Sequence, residues 1–248
     1  MRPTAVERWA ADGVLIVGGA RAILLQVADP VVAAGVARHS DFAHRPVQRL
    51  VRTLGYAYAV VLGTEADSRA VARHVDAAHR PVAGAADADR QLWVAATLYD
   101  TAGLVHERVF GPTPTPLADE VYARYARLGT ALQMPAALWP GTRAAFESYW
   151  ADALERLTVT DDARSIAHDL FHPAVAPLWV RAALPLAQLL TVELLPEGIR
   201  EAYGFEFGPA RRRRARVAWM IVRALVAVTP WTLRSTPARR LLRRIRTR

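Results

Sequence analysis

Arg49, Arg52 and Thr53 fall within little more than one helical turn. They set two fixed cations and a hydroxyl beside an otherwise apolar run of Val47, Leu50, Val51, Leu54 and Tyr58. Guanidinium forks suit carboxylates or a polarised oxygen species. Further on, His79 sits in the last turn of a helical pattern, in register with Val71, Ala72 and Val75. An imidazole on an apolar face must satisfy two nitrogens. It does so with protein partners, or it binds iron through one nitrogen while the other donates to a carbonyl. His39 and His44 are rival ligands; their plainer reading is a helix junction with Ser40 and Asp41 as caps.

Two other groupings carry weaker chemistry. Gly18-Gly19-Ala20-Arg21 after Val14–Val17 invites a dinucleotide loop, but the third spaced glycine is missing. Close helix packing at the glycine pair is the plainer reading. His168 and His172 have the i, i+4 spacing of a zinc pair. Between them the acid is misplaced for a zinc protease, and Pro173 follows at once. No nucleophile elbow, phosphate loop or kinase signature is present.

The elements that must hold these groups are helical. Thr64-Glu-Ala-Asp67 reads as a capping box opening a helix through Arg80, stopped by Pro81. Asp87 and Asp89 favour the start of a helix over Gln91 to Phe110. Gly111-Pro-Thr-Pro-Thr-Pro116 breaks it, and a further helix is expected over Leu117 to Gln133. Thr142 and Thr160 read as N-caps of two more. Leu178 to Leu195 reads as a buried core helix, because Arg181, Pro185, Gln188 and Glu193 interrupt any lipid span. Alternation is scarce; Val14–Val17 is a candidate short strand. The expectation is an all-α protein of about ten helices.

Composition narrows the chemistry. The 248 residues include no Cys, which excludes disulfides, thiolate-bound zinc, iron–sulfur clusters and a cysteine-ligated haem. Net charge is +9, unevenly spread: residues 209–248 hold 13 Arg and no acid, leaving a balance of −4 on the rest. Such asymmetry points to an anionic partner. No secretion signal or spanning segment is read, so a cytoplasmic protein is the expectation, peripheral at the inner face of the membrane if the tail binds lipid.

The order of several segments resembles the MpaB/rubber oxygenase catalytic domain family. These are Ala20 to Pro30, Ala34 to Phe42, Pro46-Val-Gln-Arg-Leu-Val-Arg-Thr53, His79-Arg-Pro-Val-Ala-Gly84 and Leu92-Trp-Val-Ala-Ala-Thr-Leu-Tyr-Asp-Thr101. Glu107-Arg108, Leu128-Gly129, Pro135, Pro140 and Tyr149-Trp150 continue it. The resemblance implies a globin-like, all-helical core holding one non-covalent haem b. It also implies oxidative chemistry with dioxygen on an apolar substrate, isoprenoid or another unsaturated lipid. His79 then matches the proximal iron ligand, and Arg49, Arg52 and Thr53 match a cluster of arginine, lysine and threonine. Arg52 stands where rubber oxygenases have lysine. Asp29 and Ala95 stand where many members have histidine. A haem also needs cations for its propionates, and Arg21, Arg49 and Arg52 are the candidates.

Residues 1–208 are therefore expected to form the oxygenase-like domain, and 209–248 a basic amphipathic extension. In the extension, Leu241, Leu242 and Ile245 face one way among arginines, the pattern of a helix lying at an anionic membrane surface. Nucleic acid is the weaker partner, since no reader motif accompanies the charge. The alternative to an enzyme is a non-catalytic haem- or lipid-binding protein at a membrane.

Overall fold

Every regular element is helical among the described residues, which in this computed structural model are 3–39, 46–82 and 84–247. The first half of the chain gives α1 (Ala5–Ala10), α2 (Gly19–Val27), α3 (Pro30–His39), α4 (Pro46–Leu62), α5 (Glu65–His79) and α6 (Ala88–Phe110). Then follow α7 (Thr115–Tyr125), α8 (Arg127–Thr130), α9 (Arg143–Glu155), α10 (Asp161–Phe171) and α11 (Leu178–Leu194). The chain ends with α12 (Glu197–Ala202), α13 (Pro209–Val228), α14 (Trp231–Arg234) and α15 (Thr236–Arg246).

The helix starts follow the side chains that cap them. The Thr64 hydroxyl accepts from the Asp67 amide at 3.2 Å while Asp67 Oδ2 accepts from the Thr64 amide at 2.9 Å. Thr142 and Thr160 accept from the amides of Ala145 and Ala163. Asp87 accepts from the amides of Asp89 and Arg90, so α6 begins slightly earlier than its apolar period suggests. It ends where Gly111 takes φ +83, a backbone that glycine adopts without a Cβ clash.

Three expectations need correction. Val14–Val17 is part of a 3-10 turn over Gly13–Gly18, not a strand. Asp12 caps it, and helices on several sides bury the run that strand pairing would otherwise have to cover. The helix expected over Leu117–Gln133 divides at Ala126 into α7 and α8, and Gln133 takes φ +75. Leu178–Leu195 is helical, but only its second half is buried: Leu190, Thr191, Val192 and Leu194 pack inward, while Leu178 and Trp179 are 82% and 69% exposed.

α6 is the spine of a single all-α domain. Leu92, Ala96 and Ala102 join Trp9 of α1, Val60 of α4, Tyr125 of α7 and Phe146 of α9 in one cluster. On another side, Trp93 joins Leu24 and Leu25 of α2, Ile166 and Phe171 of α10, and Tyr203. The polar tips inside this cluster are satisfied: Trp93 Nε1 donates to the Leu25 carbonyl and Tyr203 Oη to that of Leu24. Val105 packs with Leu190 of α11 and Trp219 of α13.

The basic end of the chain folds back onto this body. Arg234 Nε donates to buried Asp12 at 2.8 Å, and its Nη1 donates to the carbonyls of Val226 and Thr229. Leu241 and Leu242 of α15 pack beside Ala11, Tyr58 and Ala238, and Arg246 pairs with Asp67 at 2.9 Å. Two of the apolar residues read as a lipid-facing side, Leu241 and Leu242, are thus half-buried against the body. None of the described helices is alone long and apolar enough to cross a membrane.

Candidate functional site

Only Gly63 and Thr64 separate α4 from α5, and the two helices pack against each other. A connection that short makes them antiparallel. The start of α4, with Arg49, Arg52 and Thr53, thus lies beside the end of α5, with His79. Arg49 lies close enough to both His79 and Arg52 to interact with them, and Thr53 follows Arg52 on α4.

The electrostatics confirm the closeness. Burial pushes the His79 imidazole below its ordinary 6.5; the Asp76 carboxylate raises it, and the Arg49 cation lowers it further. Arg49 itself is lowered to about 10, first by burial and then by repulsion from Arg52. It remains a cation at neutral pH, while the shift at His79 favours the neutral imidazole. Arg52, Thr53 and His79 itself keep solvent-exposed surface. Tyr56 follows one turn after Thr53 on the same face. Its hydroxyl donates to the Leu128 carbonyl, and its pKa is raised by burial and by Asp76. The arrangement therefore offers one neutral imidazole, two guanidiniums and a hydroxyl, with half-exposed Leu50 and exposed Val51 alongside.

Among the described residues, no three His, Asp or Glu side chains converge as a metal cage. A metal held by His79 would need its remaining ligands from elsewhere, as a porphyrin supplies them. An imidazole, cations for carboxylates and apolar neighbours are residue types that a haem b uses.

Arg21 does not belong to this group, which corrects its assignment to a propionate. It is buried within the body, with Nη2 at 2.7 Å from Asp100 Oδ2. Its Nε donates to the Leu194 carbonyl at 2.7 Å and Nη1 to Thr101 Oγ1 at 2.6 Å. Every arm of the fork is committed, so Arg21 ties α2 to α6 and α11. The adjoining glycines show why a dinucleotide reading fails. A Cβ on Gly18 would run into Thr101 and Val105 of α6, so the residue permits close packing.

The other candidates disperse. The His168 and His172 rings stack on the outside of α10 at 4.7 Å, and His172 Nδ1 lies 3.1 Å from the His168 carbonyl. His44 and the His39 side chain lie outside the described residues. Asp29 caps α3, accepting from the amides of Val31 and Val32, and Ala95 is buried in the core. Sequence reasoning overlooked Asp76, which faces both His79 and Tyr56 and accepts from Gln133 Nε2 at 3.2 Å. Its place one turn before His79 was the available signal.

Comparison with known proteins gives the family of the chain. The family model described as ER-bound oxygenase mpaB/B'/Rubber oxygenase, catalytic domain, matches residues 6–231. Two relatives are the uncharacterized protein Mb2261 of Mycobacterium bovis and the uncharacterized protein Rv2237 of Mycobacterium tuberculosis. Each is 32% identical over 206 residues, covering 77% of this chain and 81% of the relative. No solved structure matches the chain.

Proposed function

Because the chain belongs to the MpaB/rubber oxygenase catalytic-domain family, we propose that it is a haem b-dependent oxygenase acting with dioxygen on an apolar, unsaturated substrate. The observation that carries this reading is the α4–α5 hairpin, which puts a neutral His79 next to Arg49. A globin-like wrapping of helices around the haem is part of the same proposal. When bound, the haem supplies the redox chemistry that these side chains lack.

The chain's own residues do the rest. His79 would hold the haem iron through a ring nitrogen, and Asp76 one turn earlier offsets part of the desolvation that disfavours charge on the ring. Arg49 and Arg52 present forks that suit propionate carboxylates or a polarised oxygen. Thr53 adds a hydroxyl that donates or accepts. Leu50 and Val51 set apolar surface beside them.

A second reading, a haem- or lipid-binding protein without turnover, draws on Asp29 and Ala95. Two positions where many members carry histidine serve here for capping and packing. Oxygen uptake by the haem-loaded protein with unsaturated lipids separates the two. Substrate-dependent uptake lost in Arg49→Ala supports the enzyme; haem retention without uptake supports the second reading.

A further inference from the structure

We propose that the outer face of α13, with the neighbouring edge of α11, docks flat on an anionic lipid bilayer. α13 is apolar on two sides. Its inner side packs Ala215, Ala218 and Trp219 into the body. Its outer side leaves Val217, Met220, Ile221, Leu225 and Val228 exposed, Val228 by 78%. Isolated exposed apolar residues need no explanation, but a continuous stripe along a helix does. Leu186 of α11 extends it, lining a shallow groove with Val217 and Ile221.

Charge identifies what covers the stripe. Arg213 and Arg214 lie one turn before Val217, on the same side of the helix by register, and line the same groove. The whole segment 209–248 carries 13 Arg and no acid. An apolar stripe with a cationic end is the pattern of a helix at a lipid interface, where phosphates meet the guanidiniums and acyl chains the stripe. A second copy fits less well, since a two-fold contact would bring the two arginine-rich segments together. Nucleic acid would take up the charge and leave the apolar stripe in water. The anchoring expected of α15 thus moves to α13, because Leu241 and Leu242 are partly buried against the body while the α13 stripe is exposed. The proposal goes beyond the oxygenase reading and does not depend on haem.

The test is sedimentation of the full chain with phosphatidylcholine vesicles, with and without phosphatidylglycerol. The expected result is binding only to the anionic vesicles, weakened by salt. Arg213→Glu/Arg214→Glu lowers affinity roughly thirty-fold, and Ile221→Asp/Leu225→Asp lowers it at least about tenfold. Both are expected to keep the helical circular dichroism spectrum; if the second does not, Val228→Asp makes the same test at the free end of the stripe. Three results overturn the proposal. These are equal binding to neutral vesicles, binding unchanged by the aspartates, and a lipid-free dimer that the aspartates dissociate.

Discussion

Replacing Arg21 with methionine separates a structural pin from a cofactor ligand. The guanidinium is 3% exposed and engages the Asp100 carboxylate, the Thr101 hydroxyl and the Leu194 carbonyl together. Removing it leaves a carboxylate with little solvent and two further polar groups without their partner. Breaking one side of a buried pair costs about 3–5 kcal/mol, most of it from the stranded charge. The double change Arg21→Met/Asp100→Leu removes that charge and should recover most of the loss. Urea unfolding followed by circular dichroism measures both, provided the slope of the transition is unchanged. The pH dependence adds a check. Burial already raises Asp100 above its ordinary value, and Arg21 opposes that rise. Without Arg21 the folded pKa climbs further. The single variant is then least destabilised well below about pH 4, where the acid is protonated in both states, and loses stability as pH rises from there through the raised folded value. The reasoning fails if the single change costs under about 1 kcal/mol. It also fails if the change abolishes haem binding while stability is intact, since Arg21 would then serve the cofactor.

Three further outcomes follow. Gly18→Ala should destabilise by about 1–3 kcal/mol in thermal or urea melts, because its Cβ meets α6; a neutral change would mean that the contact yields readily. Asp67→Ala removes one arm of the capping box and the Arg246 pair, at about 1–2 kcal/mol. Hydrogen bonding from Arg246 is the main cause holding Asp67 below its ordinary value. Its contribution should therefore be full above about pH 4 and fade as pH falls through the depressed folded value, the two proteins converging in acid. Haem affinity, measured by titration of the apoprotein, should persist just below the ordinary histidine value of 6.5, because His79 titrates lower. A midpoint at or above that value would contradict the lowering expected from its desolvation and from the Arg49 cation.

What could be read from the sequence was largely local chemistry. The Thr64 box, the Asp87, Thr142 and Thr160 caps and the glycine–proline break after Phe110 each act within a few residues, so spacing alone locates them. The pairing of His79 with Arg49 was not read, although the two-residue Gly63-Thr64 connection implies it. Long-range partners were not legible. Arg21 looked like a free cation because Asp100, Thr101 and Leu194 reach it only in three dimensions. The arginines of 209–248 announced an anionic partner, but α13 and α15 carry similar charge. Which of the two keeps an open apolar side depends on α15 meeting α4, a contact that no local pattern specifies. The half-exposed α11 escaped notice for the same reason.

The most direct measurement is the absorption spectrum of the apoprotein during titration with haemin, in the wild type and in His79→Ala. The account predicts a Soret band in the wild type that saturates at one haem per chain, and its loss in His79→Ala with the helical dichroism and melting transition preserved. A saturating band that survives in His79→Ala, or no band in the wild type, would contradict the assignment of this imidazole to iron.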